Sequence, residues 1–456
     1  MTSTLITLVI IFGSTIGYAQ GSDFLWAQQI GGDGNQIARG VAADKSDRFG
    51  NVTVTGSFNE RAVFDNQTLT SAGQEDIFIT KYNGQGKVLW LKQFGSRGKD
   101  FAFDIVSDDR GNSLVTGLFT RSVDFGSFTL SSQGRGDMFT AKLDPSGNVI
   151  WAKQIGSPEL DGGNEIVSDP SNNVLVIANT YGTLSIGDSV FQHQGDMDTF
   201  ITKYDSNGNL RWARQIAGPL AEQGRGIATD LKSNVLVTGE FAGSLSFGSK
   251  AVESKSELRD IFLAKYDASG NLLWAKSFGS TGEDYGRGIG ADAAGNIYFT
   301  GVFSGSVKFD DQTLNSIEGS KDLFLAKADA SGKILWVRQM GGPGPDEGCE
   351  IEVDEQGNAY LSGEFPNKAT FGAQVFTSKG LRDMFVAKFD SQGNLVWSKQ
   401  AGGDRDDVNY AIAVDDAHRV TVVGTFTSQA TFGNFALRRT NNVVNSFVAR
   451  LGTKQS

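Results

Sequence analysis

Cysteine, histidine and proline are all scarce in this 456-residue chain, at 1, 2 and 7 copies, and each scarcity closes off a class of explanation. A lone Cys349 forms no disulfide within the chain, so stability must come from packing. His193 and His418 fall at unrelated points of the text, which leaves no cluster for zinc and no Ser-His-Asp set. With 58 glycines, 11% aromatic and 20% charged residues, few prolines do not signify disorder; the chain is turn-rich and globular. Long apolar runs are missing too. The eight residues Leu5 to Phe12 are too few to span a bilayer. Followed by Gly17, Tyr18, Ala19 and polar Gln20 to Asp23, they predict a signal peptide over 1–19 and export to the periplasm, cell surface or exterior. Residues 20–456 are then one soluble domain with no membrane insertion after cleavage. Positive charge is short as well: the net charge is −11 and no Lys/Arg run stands out, which argues against nucleic acid as a partner.

What is present is repetition. The seven tryptophans, Trp26, Trp90, Trp151, Trp212, Trp274, Trp336 and Trp397, are 64, 61, 61, 62, 62 and 61 residues apart. The surrounding text recurs with them, as in Phe262 to Gly279 (FLAKYDASGNLLWAKSFG) and Phe385 to Gly402 (FVAKFDSQGNLVWSKQAG). Period-two alternation between Gly/Asn/Asp turns predicts four strands per copy. In the fifth copy these are Gly286 to Asp292, Ile297 to Phe303, Asp322 to Asp329 and Ile334 to Met340, with a lesser hairpin through Val307 to Leu314. A sheet of this size cannot bury both faces alone and must stack on its neighbours. The chain starts with a lone fourth strand (Phe24 to Ile30) and ends with a third strand (Ser446 to Leu451) that has no fourth after it. This offset predicts an all-β, seven-bladed β-propeller with four-stranded blades, closed by the N-terminal strand pairing with the last blade.

The text D-x-F-[ILV]-[TA]-K-[YF]-D-x-x-G-N-[LV]-x-W, then G-x-x-x-x-D, then G-N-V-x-V-T-G-x-F, resembles the bacterial seven-bladed β-propeller repeat family (SBBP) across nearly the whole mature chain. That resemblance implies the fold and an exported or surface protein, and it names no activity. The Y-D-x-x-G-N-x-x-W stretch also looks like the tryptophan-docking motif of eight-bladed quinoprotein propellers, whose cofactor seven copies do not carry over. It lies near the Asp box of sialidase-like propellers, with one residue more between Asp and Gly, as in Asp205 to Gly208.

Most repeated polar residues read as structure. The aspartates closing the first strand, Asp44 to Asp415 in seven copies, are turn formers. The third-strand base, Lys81 to Arg450 in seven copies, lays its stem on apolar surface and its head on a carboxylate. The aspartates two before the third-strand phenylalanine, such as Asp76 and Asp137, accept backbone N–H bonds in a loop. A fourth set is the candidate site. Asp100, Asp161, Glu222, Asp284, Asp346 and Asp407, with Gln36 in the seventh copy, stand in the loop that enters each first strand, where they either cap the neighbouring blade's backbone or form an acidic rim at one channel mouth. Such a rim would hold a divalent cation, calcium before zinc because all its ligands are oxygens, or a basic segment of a partner. No other cofactor is expected. The functional expectation is a monomeric, non-enzymatic binding or scaffold module of the cell envelope or exterior, engaging a protein or glycan at the channel mouth. The alternative is a propeller-type polysaccharide hydrolase or lyase, which needs carboxylates and no histidine.

Overall fold

Each repeat is punctuated by an aspartate whose side chain organises the turn after it. In the turn from third to fourth strand, Asp205 Oδ1 accepts the N–H groups of Asn207 (3.0 Å) and Asn209 (2.9 Å), and its carbonyl accepts that of Gly208 (2.9 Å). Gly208 has φ +79°, a conformation only glycine adopts freely, which is why the text there is D-x-x-G-N. The turn between first and second strands uses the same device, with Asp108 accepting from Arg110 and Asn112 around Gly111.

The computed structural model describes residues 23–439 and 441–453, so the expected signal peptide over 1–19 lies outside the described residues. The chain is all-β, built of antiparallel four-stranded sheets. Six meanders run in sequence order, for example Asp161–Ser168, Val174–Thr180, Asp198–Tyr204 and Leu210–Ile216. A further sheet is composite: Asp407–Val414, Val420–Phe426 and Asn445–Gly452 are joined by the N-terminal strand Asp23–Gly32. That strand pairs antiparallel with the last, Phe24 opposite Leu451 and Ile30 opposite Ser446. No helix among the described residues is long and apolar enough to cross a membrane.

Second and third strands, such as Val235–Phe241 and Asp260–Tyr266, are buried along their whole length because a neighbouring sheet covers each face. The core accordingly divides into clusters that bridge successive sheets. One joins Trp26, Val423 and Val448 of the composite sheet to Val41, Val54 and Phe78 of the sheet that begins at Gln36. Innermost strands pack side by side in chain order, and Asp407–Val414 packs against Gln36–Ala43.

The tryptophans clasp one sheet to the next. Trp151 Nε1 donates to the Ser206 carbonyl (3.2 Å) in the following sheet's last turn, and its ring lies where a Cβ on Gly208 would meet it at 2.9 Å. Trp90, Trp212, Trp274 and Trp336 repeat this on Pro145, Ala268, Ala330 and Ser391, and Trp26 reaches Gly84 (3.0 Å). Trp26 and Trp151 are buried, whereas Trp274 is only half-buried, less than its repetition suggests, because the outermost strand keeps one face in solvent. The expected lysine heads also find their carboxylates: Lys142 with Asp108, Lys203 with Asp169 and Lys265 with Asp230, each at 2.9 Å and each buried.

Candidate functional site

The innermost strands converge on a central cavity of about 340 Å³, and one irregularity shapes it. In every copy the pairing of first with second strand skips a position, as between Ala38 and Gly40, Ala102 and Asp104, Gly163 and Glu165, and Asn409 and Ala411. The same bulge lies at Gly224/Gly226 and Gly348/Glu350, and in the fifth copy it widens to Gly286/Ile289. A glycine in the second strand admits the crowding in six copies, whereas the third carries Ala178 there and keeps the bulge. A Cβ on Gly117 would stand 2.0 Å from the Phe101 carbonyl, and one on Gly301 1.9 Å from that of Tyr285. A bulge bends its strand and re-aims the extra side chain. Here the re-aimed residues are Arg39, Phe103, Asn164, Arg225, Arg287 and Tyr410, all half-buried and all lining the cavity, with Cys349 at the same register in the sixth copy.

The residue after the bulge is acidic in three copies, and each acid spans to the next sheet. Asp104 accepts the N–H of Ile166 (2.9 Å), Glu165 that of Ile227 (2.9 Å) and Glu350 that of Ile412 (3.1 Å). Burial pushes the Asp104 carboxyl up to about 7 against the pull of the Ile166 and Ile105 amides, and the Glu352 charge adds to the push. Burial and then the neighbouring acids hold Glu165 and Glu350 well above the ordinary range. At the cavity's edge Arg225 makes two bonds to Glu240 (2.8 and 2.9 Å), Arg259 adds a third (3.0 Å), and Arg287 lies 3.6 Å from Glu347.

The acidic residues of the entering loops sit elsewhere. Asp100, Asp161, Glu222, Asp284, Asp346 and Asp407 are all buried, each turned into its own loop. Asp100 accepts the amides of Ser96 (2.9 Å) and Thr120 (3.3 Å), and Asp284 those of Ser280 (2.6 Å) and Ser304 (3.0 Å). Asp346 takes Gly342, Asp407 takes Gly403, and Asp161 takes Ser157 and the Thr180 hydroxyl, whereas both Glu222 carboxylate oxygens are buried without a hydrogen bond among the described residues. Gln36 meets the Gly34 carbonyl and Asn445. Burial raises these carboxyls, Asp284 to about 6, Asp100 to about 7, and Glu222, Asp346 and Asp407 to about 8. Among the described residues no group of three or more His, Cys, Asp or Glu is spaced to hold a metal ion.

Sequence reasoning passed over the bulge register. Its signal is there in the text: three residues past the loop acid the copies read Arg39, Phe103, Asn164, Arg225, Arg287, Cys349 and Tyr410, a polar or aromatic position that varies among the copies, as does the one directly after the acid, from Ile37 to Val408.

Similarity to known proteins bears on the repeat. The chain is 23% identical over 90% of its length to an uncharacterized WD repeat-containing protein, L264, of Acanthamoeba polyphaga mimivirus, covering 36% of that protein. It is 25% identical over 44% of its length to the regulatory protein FlaEY of Caulobacter vibrioides, covering 22% of it. The chain thus spans about a third or less of the curated relatives it matches. Among solved structures it resembles Sqt1 of Chaetomium thermophilum, at 10% identity and a TM-score of 0.47, with 94% of this chain and 99% of that one covered. A family model for the SBBP β-propeller repeat matches residues 211–240, the stretch from the Trp212 strand through the bulged strand to the T-G-E-F glutamate, Glu240. The chain carries the SBBP β-propeller repeat.

Proposed function

We propose that the seven sheets are the blades of one closed β-propeller and that this propeller is an exported, non-enzymatic binding module, taking its ligand in the channel where the bulged strands converge. The observation that carries the reading is the coincidence of two features. A position that differs among the copies, with Arg, Phe, Asn and Tyr among its residues, is the one that a recurring backbone irregularity turns toward the channel. A scaffold needs no such variety at its axis, whereas a binding site does. Ring closure is supported by the pairing of Asp23–Gly32 with Asn445–Gly452 and by the Trp26 clasp on Gly84. Binding is favoured over catalysis because Asp104, Glu165 and Glu350 are each engaged by a neighbouring sheet's amide and do not stand as a free acid–base pair. Export rests on the apolar run Leu5 to Phe12.

The test is a combined glycan and peptide array on the secreted chain, repeated with Asn164→Ala and Gln223→Ala, two cavity-lining changes that disturb no ion pair. Hits on the parent that weaken about tenfold in both variants, with unchanged melting, support the channel as the binding face. Hits that survive both place the ligand elsewhere and overturn the reading.

A further inference from the structure

The three guanidinium groups turned into the channel differ in what neutralises them. Arg225 is held by Glu240 and Arg287 lies beside Glu347. Arg39 has neither ion pair nor hydrogen bond among the described residues, and its Nε is buried without a partner. Two rings hold it instead, Phe103 with its centroid at 5.5 Å and Tyr410 at 5.2 Å, the bulged residues of the sheets on either side. Such a sandwich fixes the plane of the guanidinium but supplies no acceptor to its N–H groups. Burial lowers the Arg39 pKa from its ordinary value, as expected of a cation that has lost water and gained no counter-ion. A planar fork of donors, held rigid and opening on a cavity, matches a carboxylate in two-point contact.

The rest of the cavity suits hydroxyl groups. The Gln223 side chain makes no hydrogen bond among the described residues, and the Asn164 amide spends only its Nδ2, on the Gly224 carbonyl at 2.8 Å. Glu165 and Glu350 each commit one oxygen to a backbone amide and keep the other. Because these acids hold their protons to higher pH than usual, a second anion among them meets less repulsion than their number suggests. The volume of about 340 Å³ is at the small end of ligand pockets.

Resting on the reading of the channel as the binding face, we propose that Arg39 anchors a site for a hydroxylated carboxylate of the sugar-acid class, with Gln223 and Asn164 taking its hydroxyls. That chemistry has two sources, a free sugar acid or the terminal uronate of a polysaccharide.

Calorimetry on the full chain decides it, with galacturonate, an oligogalacturonide, the methyl ester of galacturonate and neutral galactose as probes. The acid is expected to bind about tenfold tighter than its ester or galactose, a preference that one charge-assisted contact supplies. Arg39→Met keeps the packing between the rings and should erase that preference while melting stays unchanged. Arg39→Lys keeps the charge without the fork and should retain only part of it. A tenfold gain for the oligomer over the monosaccharide marks a polysaccharide end, and equal binding marks the free acid. Ester and acid binding alike, or an undiminished preference in Arg39→Met, overturns the assignment. If no sugar acid binds while array hits still depend on Asn164 and Gln223, the sugar-acid assignment fails and the channel reading stands.

Discussion

Replacing Trp26 tests the joint between the first and last parts of the chain. Its side chain is 7% exposed, donates to the Gly84 carbonyl at 3.0 Å, and lies over Gly86, where a Cβ would come within 2.8 Å of the ring. Its strand simultaneously pairs with the last one, Trp26 opposite Arg450. An indole of this kind removes roughly 200 Å² from water, about 5 kcal/mol at ~25 cal/mol per Å². Alanine recovers part of that, and the lost N–H bond adds about 1 kcal/mol. Trp26→Ala should therefore cost about 4 kcal/mol, near a thousandfold in the folding equilibrium. Trp90 makes the same clasp on Pro145 but is half-exposed, so Trp90→Ala should cost about half as much. Urea unfolding followed by far-ultraviolet circular dichroism, with all three proteins at one concentration, measures both. A Trp26→Ala cost below about 1 kcal/mol, or one smaller than that of Trp90→Ala, would refute the claim that this strand locks the last sheet to the first.

Three further outcomes are expected. Lys142→Met leaves the buried Asp108 carboxylate with amide donors alone and should cost about 3 kcal/mol, much of it recovered by adding Asp108→Asn; equal losses in the single and double variants in chemical denaturation would contradict the ion-pair account. For the pH profile, the loop carboxyls have folded pKa values raised by burial, so they bind more protons folded than unfolded, and their contribution is full in acid and lost as pH rises through about 6 to 8. Asp108 and Asp169 run the other way: burial opposes their ionisation, but the asparagine and lysine donors outweigh it and hold them low, so their contribution is lost on acidification below the ordinary carboxylate range. Stability should peak in mild acid, and Asp284→Asn, Asp346→Asn and Asp407→Asn together should flatten the alkaline decline; an unaltered decline in melting curves from pH 5 to 9 would remove these groups as its cause. Gly301→Ala drives a Cβ into the Tyr285 carbonyl and should cost about 3 kcal/mol or abolish soluble protein, whereas a normal yield and melting temperature would show that the bulge relaxes freely.

How much of this was legible beforehand follows from the physics of each feature. Strand identity was readable because period two and turn chemistry are local: Ile334–Met340 begins and ends where the alternation does. The pairing of the terminal strands was readable from the offset of the copies, since a third strand without a fourth leaves an open edge. The innermost strand was less so. In the fifth copy it spans Tyr285–Ala291, one residue earlier than expected at each end. Its bulge arises from how a glycine in one strand admits the carbonyl of another, a relation no single segment displays. The loop acids show the same limit. Their spacing was plain, but whether Asp346 faces the channel or the Gly342 amide depends on a bend of the loop that spacing does not encode. Reading a repeat means attending to what its copies share, and Arg39, Phe103 and Tyr410 occupy a register that only three copies fill alike, with arginine.

The tryptophan clasps all point one way: six sheets grip the last turn of the sheet that follows, from Trp26 on Gly84 to Trp336 on Ser391. A directional, nearest-neighbour linkage makes the units interchangeable in sequence, because what a copy offers ahead matches what every other copy presents behind. Duplication or loss of a whole unit therefore keeps the same kind of contact at every junction, although in a closed ring each junction must adjust its angle. It also confines damage, since a weakened sheet loosens only the two it touches. The composite sheet has no clasped turn between its third and fourth strands, being made there from the two ends of the chain. Under heat or force, that junction is where the assembly would first come apart.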